Sequence, residues 1–412
     1  MNAKKRYVLI FLLTLSCLCY NLPYLSSTFY TQFLEAFSLS NTQAGLLLSM
    51  FSLTATPGYL FGGMLADRFS PKKLIIISQL MTAACGFAMS FISGYTILLV
   101  CYLGFGISTT FIHWSAFLKL IRAQAGENEE GKIFGFFEMC YAIAGAITSY
   151  GILAALGSIS NFRIVTSVYA AILVLVALII MVALKDVEEN KQSNEFNLKM
   201  VGKAFKHPVT WLNGFIVMGL FIMVTGTSYL NPYLSTVFGT TVAFGTGLTI
   251  ANRTILRLFM SPACGLLLDK WKTPKFLTIF AGALIIISAV FLFIPQEPAS
   301  KTIAVIVAVV MVVVLAGSRS GLYTPIPEAK MPFEITGTAM GIASAVGYST
   351  DLWLYTLCGR WIDQYGVDGY RNIIWLFIAG LVLVIVCAIL LGVYEKKHGV
   401  FSMQLEKSQV EA

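Results

Sequence analysis

The chain has 412 residues, 57% of them hydrophobic and 12% charged, with a mean hydropathy of +0.79 and a net charge of +8. Soluble domains carry about 25% charged residues, so an ordinary soluble protein is excluded, and the basic excess follows membrane topology rather than a nucleic-acid surface. At about 20 apolar residues per crossing the length holds about twelve helices, and runs far longer than ~10 alternating residues exclude a membrane barrel.

In chain order the apolar runs predict spans 1 to 6 at 7–33, 42–66, 73–93, 96–122, 131–157 and 161–184. Spans 7 to 12 follow at 209–237, 243–268, 276–295, 301–327, 334–358 and 371–394. The long hydrophilic stretch in the middle runs from Lys185 to His207, and the tail from Glu395 to Ala412 is polar. The expected organisation is a six-helix bundle at 1–186, a cytoplasmic linker at 187–206, a second bundle at 207–395 and a cytoplasmic tail at 396–412. Span 1 has a basic start like a signal peptide but runs on through Phe33 without a small-residue cleavage site, so it is expected to remain as a helix. With both termini in the cytoplasm, the outer side keeps only Arg163, Lys301, Arg360 and Arg371 of the 28 Lys and Arg. That asymmetry is the positive-inside rule and sets the expected orientation. All eight Cys fall in apolar spans without metal-type clustering, as small buried thiols do.

The two halves repeat each other. Tyr20-Asn-Leu-Pro23-Tyr24-Leu25-Ser26 returns as Tyr229-Leu-Asn-Pro232-Tyr233-Leu234-Ser235. Gly63-Met-Leu-Ala-Asp67-Arg68-Phe69 returns as Gly265-Leu-Leu-Leu-Asp269-Lys270-Trp271, and Gly131-Lys-Ile-Phe-Gly135 as Gly337-Thr-Ala-Met-Gly341. Three landmarks in one order and at nearly constant offset mean one half written twice in the same direction. Parallel six-helix halves joined by a polar linker characterise a large class of secondary transporters. The predicted fold is therefore an all-α membrane protein of twelve transmembrane helices in two parallel-repeat six-helix bundles.

Gly63-x-Leu65-Ala66-Asp67-Arg68-Phe69-Ser70-Pro71-Lys72-Lys73 resembles the signature loop of the major facilitator superfamily, with a weaker copy at Gly265, Asp269, Lys270, Pro274 and Lys275. Ser70 stands where that family usually has Gly. Trp114-Ser-Ala-Phe-Leu-Lys119, with Glu130-Gly131-Lys132, resembles the organophosphate:phosphate antiporter side of the superfamily. Phe134-Gly-x-x-Glu138 and Tyr24-Leu…Phe29-Tyr30 are similar to a poorly characterised bacterial branch beside it. That antiporter family holds phosphate with arginines on spans 1 and 7; here those spans carry none, so phosphate-ester exchange does not carry over. The Gly-Pro element of drug/proton antiporters is absent from span 5, and the Pro-Glu-Ser and Pro-Glu-Thr elements of sugar porters are absent after spans 6 and 12.

Ionisable residues at bilayer depth cost several kcal/mol or more unless they meet a partner or a wet cavity, so they are functional candidates. At 1.5 Å per residue, Arg257 lies roughly 18 Å from Asp269, Arg319 roughly 13 Å inside Glu328 and Asp351 roughly 25 Å beyond Glu334. Arg253 and Asp351 share a depth, where an ion pair closing the outer face competes with ligand contact. Arg257 and Arg319 have no carboxylate at their own depth, which suggests that a substrate brings the negative charge. His113 and Arg319 stand at matched positions of the two halves; His113 is either a core histidine bonded to a carbonyl or a proton-coupling imidazole. Tyr20, Tyr24, Tyr229 and Tyr233 are expected to line the cavity, binding hydroxyls or closing an outer gate. Glu138 is expected in a low-dielectric helix interface, as a packing carboxylate or as the proton site, with Asp351 and His113 as rivals. Asp67, Arg68, Asp269 and Arg253 are the expected gating residues.

The reading that results is a non-enzymatic secondary transporter of the cell (inner) membrane, working by alternating access on a small hydrophilic anion held by Arg257, Arg319 and His113. Sugar acids, carboxylates and phosphorylated metabolites fit, with a proton or counter-anion as the coupled species. A neutral or zwitterionic nutrient such as an amino acid or nucleoside is the alternative, and a non-transporting membrane sensor the lesser one. No cofactor, metal or nucleic-acid partner is expected, and the bilayer surrounds a monomer.

Overall fold

The computed structural model describes residues 3–122, 124, 130–158, 162–184 and 198–398. Among them there is no strand, and each expected span is helical. Span 1 is built from Ala3–Ser16, a 3-10 turn at Cys17–Tyr20, Asn21–Thr28 and Tyr30–Phe37. Spans 2 to 6 are Asn41–Arg68, Pro71–Phe91, Tyr95–Gly106 continuing to Arg122, Glu130–Ser158 and Phe162–Ala183. A linker helix, Leu198–Lys206, occupies the end of the expected linker. Span 7 starts at Pro208 and reaches Phe238, span 8 starts with Val242–Arg253, and span 12 is Val367–Lys397. The rest of span 8 runs together with span 9 in one helical stretch, Ile255–Phe293, broken at Lys272, whose φ of 64° no continuing helix tolerates. Nine helices among the described residues are long and apolar enough to cross a membrane. All eight cysteines are free.

The chain forms two compact units that cut across the two sequence halves. One contains Met1–Phe196 with Thr240–Leu258 and Asp351–Gln364; the other contains Asn197–Gly239, Phe259–Thr350 and Tyr365–Ala412. The first part of span 8 and the end of span 11 therefore belong to the first of these units. In that unit span 3 lies against span 6, span 2 against span 4, and Val242–Arg253 against span 5. In the other unit span 7 packs against spans 11 and 12. Gly219 and Gly380 meet there so closely that a Cβ on either would collide with the other's backbone carbonyl. Small residues permit that approach between membrane helices.

The start of span 2 shows why Leu354–Tyr365 joins the first unit. The first amides of a helix have no partner in the helix itself. Ser40 and Gln43 supply a reciprocal capping box, with the Gln43 amide donating to Ser40 Oγ at 3.2 Å and the Ser40 amide donating to Gln43 Oε1 at 3.0 Å. Asp363 then accepts from the Asn41 amide and side chain at 3.2 and 2.7 Å, and from the Thr42 amide and hydroxyl at 2.8 and 2.6 Å. A carboxylate at a helix N-terminus is favoured by the dipole as well. Gly45 and Gly359 flank this cap, and a Cβ on either would strike the backbone of Tyr355 or Asn41. Partial burial works to raise the Asp363 carboxyl, but the bonds from Thr42 and Asn41 outweigh it and hold the group below its usual range.

A depressed carboxylate contributes stability above its unfolded pKa and loses it as pH falls through the folded value. The thermal-stability gap between the wild type and Asp363→Asn should therefore be open at pH 7 and close below about pH 4. A gap that stays constant with pH would show that the cap contributes nothing through its charge. In a background where Cys358 is the sole thiol, Asp363→Ala should speed its labelling from outside several-fold, since Cys358 is fully buried in this packing.

Candidate functional site

Several spans are interrupted, and the interruptions coincide with the candidate residues. Span 1 passes through its 3-10 turn at Cys17–Tyr20 and span 7 through one at Thr227–Tyr229. Proline donates no amide and its ring pushes away the carbonyl four residues earlier. For Pro23 that residue is Cys19 and for Pro232 it is Ser228, both inside these turns. Span 4 becomes a π-helix over Ile107–Trp114. There Ser108 Oγ and Thr109 Oγ1 both donate to the Phe105 carbonyl, at 3.1 and 2.7 Å, in competition with the helix ladder. Span 10 ends its regular part in a 3-10 turn at Arg319–Gly321, and span 11 in one at Ser349–Leu352. Span 8 breaks at Thr254, with φ −122° and ψ −75°. Tyr20, Tyr229, His113, Arg319 and Asp351 lie within these segments, and Arg253 immediately precedes one.

In the first unit the candidates form two groups. His113 is fully buried, with Nε2 2.8 Å from Ser16 Oγ and Nδ1 3.4 Å from the Tyr20 hydroxyl. Tyr20 donates to the Thr109 carbonyl at 2.7 Å and meets Trp114 edge-on at 5.8 Å, while Gln79 donates to the Ser16 carbonyl at 2.6 Å. The imidazole is thus bonded to two hydroxyls of span 1, and not to the backbone carbonyl that the core reading of this histidine expects. The second group surrounds Tyr24. The Arg253 guanidinium lies 5.4 Å from its ring centroid, and its hydroxyl donates to Asp351 Oδ2 at 3.2 Å. Arg253 also donates to Ser27 at 2.9 Å and to Thr28 at 3.2 Å. Arg253 and Asp351 therefore share one cluster, organised by a tyrosine.

In the second unit Tyr229 is buried, and Tyr233 stacks on Tyr370 at 4.9 Å and accepts from Gln296 at 3.1 Å. Arg319 is half-buried. Four residues on, the Tyr323 hydroxyl lies 3.0 Å from Ser344 Oγ and donates to the Tyr348 hydroxyl at 3.1 Å, with Phe221 edge-on to Tyr348 at 4.6 Å. This hydroxyl cluster was missed in the sequence, where its members are spread over spans 10 and 11 without a motif. Glu395 was missed as well: it is fully buried, and neither carboxylate oxygen has a hydrogen-bond partner.

Other expectations fare differently. Glu138 is exposed, so the low-dielectric interface expected around it is not formed. Span 5 is poorly buried along much of its length. Arg68 and Asp269 are exposed too. The side chains of Asp67 and Arg257 lie outside the described residues. Beside the signature loop, Lys119 donates to the Ala66 carbonyl at 3.0 Å and so caps the end of span 2. Among the described residues no group of three or more His, Cys, Asp or Glu could hold a metal ion.

The chain belongs to the Major Facilitator Superfamily, whose sequence pattern matches residues 8–352. It is 26% identical over 389 residues to "Inner membrane protein YihN" of Escherichia coli (strain K12), covering 90% of this chain and 91% of that one. It is 25% identical over 378 residues to "Probable nitrate/nitrite transporter NarK2" of Mycobacterium tuberculosis (strain ATCC 25618 / H37Rv), covering 89% and 90%. Among solved structures it resembles the nucleoside transporter NupG, with a TM-score of 0.71 at 14% identity over 96% of this chain and 100% of that one. The protein is a membrane transporter of this superfamily and not an enzyme.

The Tyr24 cluster separates two roles by experiment. Tyr24→Phe keeps the ring over Arg253 and loses the bond to Asp351, at a cost of about 1 kcal/mol. Tyr24→Leu also loses the cation–π contact, at a cost of about 1 kcal/mol more. Thermal unfolding in detergent should show this graded loss. A Tyr24→Phe protein of unchanged stability and weakened ligand binding would assign the hydroxyl to substrate instead.

Proposed function

We propose that the protein is an inner-membrane secondary transporter of a small hydrophilic anion, with both termini in the cytoplasm and Arg257 and Arg319 as the substrate cations. The observation that carries this reading is the placement of Arg319. It opens the 3-10 break of span 10, half-buried, one turn before Tyr323 and its hydroxyl partners Ser344 and Tyr348. A guanidinium offers a carboxylate or phosphate a two-pronged bond, and neighbouring hydroxyls can take the remaining oxygens. The break leaves backbone groups for a ligand where regular helix would leave none. The similarity to a protein named for nitrate and nitrite agrees with an anionic substrate. Alternating access between two six-helix bundles, with His113 as a further contact, completes the reading. The second reading, a neutral nutrient, is favoured by the likeness in fold to a nucleoside transporter.

For coupling, we assign the proton to Glu138. Of the three candidates it is the exposed one, whereas His113 is fully buried and Asp351 accepts from Tyr24. His113 remains the rival site.

Arg319→Gln and Arg257→Gln should each lower anion affinity at least a hundredfold, about 2.7 kcal/mol, while the purified proteins unfold at near wild-type temperature. Lys at either position should restore little, because a point charge does not replace a planar fork. Ligand-induced thermal shifts across a metabolite library decide the class: stabilisation by neutral nucleosides or amino acids, unaffected by either substitution, would sink the anionic reading. In liposomes under a pH gradient, Glu138→Gln should lose proton-driven accumulation and keep substrate exchange. Accumulation that survives there and vanishes in His113→Gln would move the proton to the imidazole.

A further inference from the structure

A second site lies in the unit that contains the linker helix. Leu198–Lys206 leads directly into span 7 and lies across a pocket from the end of span 12, and its junction with span 7 is fixed by specific bonds. Trp211 Nε1 donates to the Phe205 carbonyl at 2.7 Å and Thr210 Oγ1 to the Ala204 carbonyl at 2.7 Å. These satisfy the last carbonyls of the linker helix, and Phe205 packs edge-on against Trp211 at 4.8 Å. Between the three elements is a pocket of about 1080 Å³.

Its rim and its wall differ in chemistry. Lys203, Lys206 and Lys397 line it with His207 and His398, and no Asp or Glu does. The three lysines and His398 are exposed. His398 is held in place, stacked on Tyr394 at 4.1 Å with Nδ1 2.9 Å from the Tyr394 carbonyl, which leaves its Nε2 for a ligand. His207 Nδ1 is buried without a hydrogen-bond partner. Below this rim the lining is apolar, from Leu212, Phe215, Leu390 and Val393. Leu390 and Val393 are 50% and 57% exposed, and Phe205 is 53% exposed beside them.

We propose that this pocket binds an anionic phospholipid of the cytoplasmic leaflet, its phosphate among Lys203, Lys206, Lys397 and His398 and its acyl chains along Phe215, Leu390 and Val393. Charge complementarity selects an anion, and basic pockets at the cytoplasmic ends of membrane helices suit such headgroups. The apolar wall selects a lipid over a free anion, because inorganic phosphate would leave Leu390 and Val393 uncovered. Trp211 and Tyr394 stand where aromatic side chains anchor proteins at the membrane interface. The bound lipid would fasten the linker helix to spans 7 and 12.

The test uses the full chain, delipidated and returned to nanodiscs of phosphatidylcholine alone or with phosphatidylglycerol at one-third mole fraction. Phosphatidylglycerol should raise the unfolding temperature of the wild type by several degrees. The K203Q/K206Q/K397Q variant should lose at least half of that rise and match the wild type in phosphatidylcholine. An undiminished rise in the variant would overturn the proposal. So would an equal rise from inorganic phosphate in phosphatidylcholine discs, which would make the ligand a free anion. Loss of the whole rise on removing residues 399–412 would overturn it by assigning the effect to the tail. If the variant does not fold, a photoactivatable phosphatidylglycerol on the wild type decides: adducts within 203–215 and 387–398 support the site, and adducts elsewhere refute it.

Discussion

Hydrocarbon offers a backbone amide no partner, and each unsatisfied group there costs several kcal/mol. This constraint makes every span helical, and it also makes each departure from the helix informative. A broken turn within the membrane needs another donor or acceptor, whether a side chain, a water or a ligand. In this chain the departures carry the chemistry: two 3-10 turns with tyrosines, a π-helix with a histidine, a 3-10 turn with an arginine and another with an aspartate. The side chains nearest each break accept or supply the displaced bonds, as Thr109 does for Phe105 and Tyr20 does for Thr109.

The repeat is preserved at this level as well as in the sequence. Pro23 and Pro232 each stand four residues after a carbonyl that the helix gives up, and both give 3-10 turns ending in tyrosine. The two tyrosines nevertheless have different surroundings, and so do Tyr24 and Tyr233. Tyr24 lies between a guanidinium and a carboxylate, whereas Tyr233 lies among Phe238, Phe291 and Tyr370. Backbone geometry is inherited from the duplicated half; side-chain chemistry has diverged within it. That divergence is why matched positions alone are a weak guide to substrate contacts.

The architecture was legible because its signals are long or covalent. Apolar runs of twenty residues, three repeated landmarks and two prolines need no tertiary knowledge, and the family and the helical spans agree with them. The signals that failed are those that depend on which way a helix turns. Glu138 sits in an apolar segment and was expected buried between helices, yet it is exposed. Glu395 sits next to two lysines at a helix end, where a charge is usually solvated, yet it is buried. The π-helix had no proline to announce it; within it a pair of hydroxyls donates to one carbonyl. Arg253 and Asp351 could be matched in depth by counting residues, but not the tyrosine that organises them, because depth says nothing of rotation about the helix axis.

The first compact unit draws Thr240–Leu258 and Asp351–Gln364 from the second sequence half, and the nature of those contacts bears on how a transporter of this family could cycle. They include several polar ones, beside the buried Ile250, Leu354 and Cys358: Asp363 on the start of span 2, Tyr24 on Asp351, Arg253 on Ser27 and Thr28, Ser49 on Thr356 at 2.8 Å. Hydrogen bonds of this kind contribute about 1 kcal/mol each, net, because their groups find water when they part. An apolar interface of the same extent would cost far more to open, at about 25 cal/mol for each Å² exposed. A ligand can reverse a conformational equilibrium only by its differential affinity, about 5.5 kcal/mol for a full exchange of populations. A few such bonds lie within that reach, whereas the buried Ile250, Leu354 and Cys358 beside them add an apolar cost to any separation of these segments.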